Sequence, residues 1–66
     1  MSREWTDKSD IRVIMEFKDS KLGYLGGYEE HSYLPPEDRF AAKVPGKNPT
    51  YHPDEASAKR FIEENA

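Results

Sequence analysis

Residues 11–18 read Ile-Arg-Val-Ile-Met-Glu-Phe-Lys, and their side chains alternate along the chain. One face carries the apolar residues Ile11, Val13, Met15 and Phe17. The other face carries Arg12, Glu16 and Lys18 together with Ile14. Alternation with a period of two is typical of a strand with one buried face. This stretch therefore predicts a strand and indicates which of its faces points to the core.

The segment that follows predicts an antiparallel return. Asp19-Ser20-Lys21 has the composition of a turn, and residues 22–25 can then pair with the first strand as a hairpin. Gly26-Gly27 fits either a second tight turn or a bulge within one longer strand, and we favour the turn. Residues 28–34 then form a short third strand, which the prolines of residues 35–38 end because proline lacks the amide that a ladder needs.

The second half of the chain predicts one more strand and a helix. Residues 39–44 alternate again, and the dense turn composition of residues 45–49 closes that strand. Residues 51–65 predict a helix of about three turns, with Pro53 at the first helical position. Ala58, Phe61 and Ile62 form its apolar stripe at the i, i+3, i+4 spacing.

Together these elements predict an α+β fold: a three- or four-stranded antiparallel β-meander with one C-terminal α-helix packed on one face. Residues 1–10 are predicted to be a loose polar arm, in which Trp5 is the side chain able to pin the arm to the body, and residues 11–66 a single small domain. The predicted core consists of Val13, Met15, Phe17, Tyr24, Phe40, Ala42, Val44, Phe61 and Ile62.

Length and composition limit the classes of function. A chain of 66 residues is one domain at most, and only 11 of them are Leu, Ile, Val or Phe, so the core is thin. The absence of cysteine excludes a disulfide framework, a thiolate zinc site and a cysteine nucleophile. No apolar run approaches the roughly 18 residues of a membrane span. A cytoplasmic protein with no membrane partner is therefore the expectation.

The sequence predicts no enzymatic activity, no metal site and no cofactor. His31 and His52 stand at no recognised ligand spacing, and no serine lies in a nucleophile elbow. The acidic pairs are more typical of a solvated surface, since acid–base work needs a carboxyl group in an apolar cleft. Gly23, Gly26 and Gly27 match neither known phosphate-binding glycine pattern.

A tyrosine-rich region bordered by acids predicts a protein-binding surface. Tyrosine is favoured at interfaces because it combines apolar area with a polar tip, and an acidic rim suits a basic patch on a protein partner. The candidate residues are Tyr24, Tyr28, Tyr33, Leu34, Glu29, Glu30, Glu37 and Asp38. The alternative interpretation is that these tyrosines are ordinary half-buried strand residues.

A second candidate surface is the outer face of the predicted sheet, opposite the helix. Four basic residues should emerge there, with Glu16 as the only opposing charge from their two strands: Arg12, Lys18, Arg39 and Lys43. Such a face can sit against phosphates. Over residues 39–63 the order of short strands followed by a helix resembles the ethylene-response-factor and integrase-arm DNA-binding domains, which read DNA with the sheet, although the dense Arg and Trp content of those readers is missing.

The leading hypothesis is a small non-catalytic protein that binds another protein, acting as an inhibitor, adaptor or regulatory accessory factor of the bacterial, plasmid or phage type. Nucleic-acid binding through the basic face is the alternative. Self-association as a homodimer through a sheet edge is compatible with both.

Overall fold

The computed structural model describes residues 2–66, which form a five-stranded antiparallel sheet with one α-helix packed on it. The strands are β1 (Arg3–Asp7), β2 (Ile14–Asp19), β3 (Gly23–Glu30), β4 (Phe40–Lys43) and β5 (Thr50–His52), and they lie in the sheet in chain order. A single turn of 3-10 helix (Pro36–Asp38) joins β3 to β4, and the helix α1 (Glu55–Asn65) follows β5. The predicted α+β class and the C-terminal helix are confirmed, with five strands instead of three or four.

Strand β1 lies within the segment that the sequence predicts to be a loose arm. It pairs with β2 over its whole length, with Trp5 opposite Phe17. The Trp5 ring stacks on Phe17 at a centroid distance of 4.8 Å, and its indole N–H donates to Glu63 Oε2 at 3.0 Å. One large side chain therefore fixes an otherwise polar strand. Met1, also part of the predicted arm, lies outside the described residues.

The β2–β3 hairpin is confirmed, and a buried carboxylate holds its turn. Asp19 is only 3% exposed, and its Oδ1 accepts the backbone N–H groups of Lys21 and Leu22 at 2.7 and 3.1 Å. Its other oxygen accepts from Arg3 Nε at 3.3 Å. β2 begins three residues later than predicted, and Ile11, expected on the core face, is 93% exposed in the preceding loop.

Gly26 and Gly27 lie inside β3, so the turn that we favoured there is wrong and the bulge is correct. Phe17 is opposite Gly26 and Lys18 is opposite Tyr24, which leaves Leu25 as the extra residue. A bulge of one residue reverses the alternation beyond it. The same strand continues through Tyr28 to Glu30, so residues 28–34 do not form a separate third strand.

The bulge exchanges the expected positions of two tyrosines. Tyr28 is 3% exposed in the core, whereas Tyr24, predicted in the core, is 47% exposed on the opposite face. The rest of the predicted core is confirmed at Phe17, Ala42, Val44 and Ile62, which are buried together with Ala58. The half-buried side chains that surround this cluster are Trp5, Val13, Met15, Leu25, Phe40 and Phe61.

Strand β4 confirms the second alternating segment, but the helix begins later than predicted. Thr50, Tyr51 and His52 form the short strand β5, and α1 begins at Glu55. Asp54 is the N-cap, because its Oδ1 accepts the N–H of Ser57 at 2.8 Å. Pro53 therefore precedes the cap instead of occupying the first helical position.

The helix can approach the sheet because Gly26 has no side chain. A Cβ atom at this position would lie 2.9 Å from Ile62 Cγ2 and 2.7 Å from the carbonyl oxygen of Lys43. Ile62 is fully buried, and Gly26 has a φ of +154°, which L side chains rarely adopt. We call the sheet face beneath α1 the inner face and the opposite one the outer face. No helix within residues 2–66 is long and apolar enough to cross a membrane.

Candidate functional site: the outer face of the sheet

The strand register sets out the outer face as rows of side chains. One row runs from Ile14 through Glu29 and Ala41 to Tyr51. The next runs from Thr6 through Glu16 and Gly27 to Lys43, and a third joins Glu4, Lys18 and Tyr24. Because α1 packs on the other face, these rows are not covered by the helix.

An open groove of about 360 Å³ lies across the middle of these rows, and we call it the outer groove. Gly27 and Ala41 lie in the middle of the face and fill little of the outer groove, because Gly27 has no side chain and Ala41 has only a methyl group. Its larger side chains include Tyr24, Tyr51 and Ile14. The missing side chain of Gly27 therefore leaves space in the outer groove, as the missing side chain of Gly26 leaves space for the helix on the inner face.

A smaller depression of about 170 Å³ adjoins the outer groove. Its lining consists of His31, Tyr33, Leu34, Asp38 and Tyr51. His31 and Tyr51 line both depressions. The two depressions are therefore neighbours between β2 and the loop before β4, and we call them together the tyrosine path.

Three tyrosines of the tyrosine path are exposed: Tyr24 by 47%, Tyr51 by 52% and Tyr33 by 79%. The hydroxyl of Tyr24 lies 3.4 Å from the place that a Cβ of Gly27 would occupy, so this side chain leans across the outer groove. Partial burial, followed by the negative charge of Glu16, raises the pKa of Tyr24. Tyr24 thus remains a neutral hydroxyl that can donate or accept a hydrogen bond.

Carboxylates of the outer face lie within 4 Å of several of its basic side chains. Glu16 Oε1 lies 3.5 Å from Lys18 Nζ and 3.9 Å from Lys8 Nζ. Glu29 lies 3.8 Å from Arg12 and 3.4 Å from the His31 ring. Positive charge on this face is therefore largely compensated.

The structure separates the eight residues predicted to bind protein. Tyr24 and Glu29 line the outer groove, and Tyr33, Leu34 and Asp38 line the adjoining depression. Glu37 is exposed in the 3-10 helix beside Asp38. Tyr28 is wrong as an exposed anchor, because it is buried and its hydroxyl donates to Glu55 Oε1 at 2.6 Å. Glu30 lies away from the tyrosine path, in a different depression that Glu55 also lines.

The four residues of the predicted basic face have different surroundings. Arg12 and Lys18 lie beside carboxylates, as described above. Arg39 is half-buried and donates from Nη2 to the Leu34 carbonyl oxygen at 3.2 Å. Lys43 alone among them lines the outer groove. The prediction counted opposing charges from the two basic strands alone, whereas β3, which lies between them, brings Glu29 into the middle of the face.

Sequence reasoning missed several residues of the tyrosine path, among them Tyr51, Ile14 and His31. Tyr51 was placed at the start of the segment predicted to be helical, because a strand of three residues is too short to show alternation. Ile14 did carry a signal, since it is an apolar residue on the charged face of the first strand. His31 was considered only as a metal ligand, and it lines both depressions.

Within residues 2–66 no three His, Cys, Asp or Glu side chains are grouped so as to hold a metal ion. Comparison of the chain with protein-family models, with curated proteins and with solved structures gave no match. We therefore infer function from the surface itself.

Proposed function

We propose that this chain is a small non-catalytic protein-binding module, an inhibitor, adaptor or regulatory accessory protein of the bacterial, plasmid or phage type. Its docking surface is the tyrosine path. The observation that carries the proposal is the presence of three exposed tyrosines, Tyr24, Tyr33 and Tyr51, along two adjoining depressions. Tyrosines of this kind supply large contact area at low cost in conformational entropy. We expect the binding to take place in the cytoplasm, because a chain without cysteine needs no oxidising compartment in which to fold.

The charge of the surface favours a protein partner that presents basic side chains among apolar ones. Glu16, Glu29 and Asp38 line the tyrosine path, and Lys43 is its only Lys or Arg side chain. The whole chain carries a net charge of −3. Complementary charge of this kind speeds association and selects among partners.

The same charges weigh against the nucleic-acid alternative. A phosphate backbone is bound through several uncompensated Lys or Arg side chains. Arg12 and Lys18 lie beside carboxylates, and Arg39 is held by a backbone carbonyl. Exposed tyrosines on a sheet can still stack on unpaired bases, so single-stranded nucleic acid forms the second arm of the test.

Selection from a displayed peptide library against the purified chain tests the proposal. We expect the enriched peptides to combine Lys or Arg with apolar residues. Their affinity for the Tyr24→Ala, Tyr51→Ala double variant should be at least about tenfold lower, since buried tyrosine anchors commonly contribute more than 1 kcal/mol each. Circular dichroism would confirm that the variant is folded.

Leu22→Ala is the matched control, because Leu22 is an apolar residue 68% exposed in a turn outside the tyrosine path. Unchanged peptide affinity in the tyrosine double variant would contradict the proposal. Tighter binding of labelled single-stranded DNA or RNA than of any selected peptide would favour the alternative.

A further inference from the structure

Strand β1 forms an open edge of the sheet, because it pairs only with β2. Two flanking bonds show which backbone groups face β2: Ser20 N donates to Ser2 O, and Lys8 N donates to Ile14 O, each at 2.8 Å. Bonding positions alternate along an antiparallel pair. The even-numbered residues of β1 therefore face β2, and the N–H and C=O groups of Arg3, Trp5 and Asp7 face outward.

The opposite edge of the sheet is closed to a further strand. β5 has only three residues and lies between Pro49 and Pro53, which cannot donate to a ladder. β1 has five residues and contains no proline. Among the described strands, β1 is thus the edge with room for another strand.

We propose that β1 pairs antiparallel with β1 of a second copy of this chain, with the two-fold axis at Trp5. In this register Arg3 lies opposite Asp7 of the second copy, Trp5 opposite Trp5, and Asp7 opposite Arg3. Each outward-facing residue meets another one, so all six outward donors and their acceptors are bonded. Centring the pair on Glu4 or Thr6 instead would leave Asp7 or Arg3 without an outward-facing partner within the strand.

The charges of β1 fit a second copy better than an arbitrary extended segment. Opposite charges directly across an antiparallel pair are favourable, and like charges are unfavourable. The strand reads Arg-Glu-Trp-Thr-Asp, so reversal about Trp5 places its terminal cation opposite its terminal anion at both ends. The Arg3 side chain is 39% exposed beside Asp19, which leaves part of it free to meet a second carboxylate.

The Trp5 side chain is already held in place for such contact. Its ring stacks on Phe17, Lys59 Nζ lies 5.7 Å from its centroid, and it stays half-buried in the single chain. Two Trp5 residues in a directly bonded pair have Cα atoms about 5.5 Å apart. Each ring would therefore cover part of the other on the inner face.

The dimer that results is weak and goes beyond the proposed function. A contact made by one five-residue edge is small, so we expect a dissociation constant in the range of about 1 μM to 1 mM. The two-fold axis of an antiparallel pair is perpendicular to the sheet, so both tyrosine paths would face the same way. A partner with two matching segments would then be bound with avidity.

Disulfide trapping tests the register directly. Glu4 would lie opposite Thr6 of the second copy in a non-bonded pair, with Cα atoms about 4.5 Å apart, which is within disulfide range. Both residues are exposed, and the chain has no cysteine of its own. In a glutathione buffer, an equimolar mixture of Glu4→Cys and Thr6→Cys should form the mixed dimer at least about fivefold faster than either variant alone forms its own dimer.

The control mixture combines Thr6→Cys with Glu37→Cys, since Glu37 is exposed away from β1. Cross-linking no faster than in this control would overturn the proposed register. Sedimentation supplies the second measurement: Asp7→Arg should raise the dissociation constant at least about threefold, whereas Asp10→Arg, which makes the same charge change in the following loop, should not. A wild-type chain that stays monomeric at 1 mM would overturn the pairing. Neither experiment involves the tyrosine path, so failure here leaves the proposed function untouched.

Discussion

Single side chains decide which faces of this small sheet are buried. Tyr28 spans from β3 to the start of α1, where its hydroxyl donates to Glu55. Its ring packs edge-on against Trp5 and Phe40, at centroid distances of 5.3 and 6.2 Å. Burial, followed by the hydrogen bond to Glu55, raises the pKa of Tyr28. Tyr28 is therefore a structural residue, although its sequence context resembles that of Tyr24.

The first prediction concerns the Tyr28 hydroxyl. Tyr28→Phe should lower the free energy of unfolding by about 1 kcal/mol, because it removes one hydrogen bond to a carboxylate and leaves the ring in place. Tyr24→Phe is the control and should change it little, since Tyr24 is half exposed. Urea unfolding followed by circular dichroism measures both, and equal effects would contradict the distinction between the two tyrosines.

The second prediction concerns acid. The backbone N–H groups of Lys21 and Leu22, and then Arg3, lower the pKa of Asp19. A carboxyl group with a lowered pKa in the folded state stabilises the fold above its unfolded pKa of about 3.9, and this contribution is lost as the pH falls toward the folded pKa. The melting temperature should therefore fall as the pH is lowered below about 4.

Asp19→Asn should be less stable at pH 7 and should lose less stability than the wild type between pH 5 and pH 2. Part of the dependence of stability on pH should remain in Asp19→Asn, because hydrogen bonds from Ser57 also lower the pKa of Asp54. Asp10→Asn is the control and should follow the wild type. An Asp19→Asn variant with the full acid dependence would contradict the role of Asp19.

At the scale of the elements, a strand or helix could be predicted from the sequence only where its pattern of apolar residues covered enough residues. β2 and β4 alternate over enough residues to fix both strand and face, and the helix carries Asp54 and the stripe of Ala58 and Ile62. β1 has a single apolar residue, Trp5, and β5 has three residues in all, so neither shows periodicity. Their strand structure comes from pairing with the neighbouring strands, β1 with β2 and β5 with β4.

The candidate site was harder to predict because it depends on one inserted residue. Gly26-Gly27 is compatible with a turn and with a bulge, and only the pairing of Phe17 with Gly26 and Lys18 with Tyr24 decides between them. The bulge places the Tyr24 side chain on the outer face and the Tyr28 side chain on the inner face. The exposure of Tyr33, Leu34 and Asp38 does not depend on the bulge, although Tyr33 and Leu34 were predicted in a third strand and lie in the loop before the 3-10 helix.

The third prediction concerns the close approach of α1 to Gly26. Gly26→Ala should lower the free energy of unfolding by more than about 2 kcal/mol, because its Cβ meets Ile62 and the Lys43 backbone at a positive φ. Gly46→Ala is the control: its φ is +84°, but nothing lies within 4 Å of the new Cβ. Gly46→Ala should lower the free energy of unfolding by only about 1 kcal/mol, because only the backbone conformation is unfavourable. Equal losses in denaturant unfolding would show that the helix does not depend on this contact.

At the scale of the whole molecule, the fold depends on few buried side chains. Ile62 is the largest that is fully buried, and it joins α1 to the sheet. Folding free energies of about 0.05–0.15 kcal/mol per residue give a chain of this length about 3–10 kcal/mol. One cavity in the core can therefore remove much of the stability.

The fourth prediction is that Ile62→Ala lowers the free energy of unfolding by about 2–5 kcal/mol and leaves a large unfolded fraction at 37 °C. Ile11→Ala removes the same atoms from a residue that is 93% exposed, and it should leave the melting temperature unchanged. Calorimetry distinguishes the two. A cooperative transition at the wild-type temperature in Ile62→Ala would contradict the dependence of the sheet on the helix.

The two prolines beside β5 set a limit on growth. Two chains joined at β1 would present β5 at both ends of a ten-stranded sheet, and neither end has room for another ladder. Assembly then stops at two copies, so raising the concentration should saturate the dimer without producing filaments or thioflavin-positive material. A three-residue terminal strand between two prolines would in this way prevent edge-to-edge aggregation.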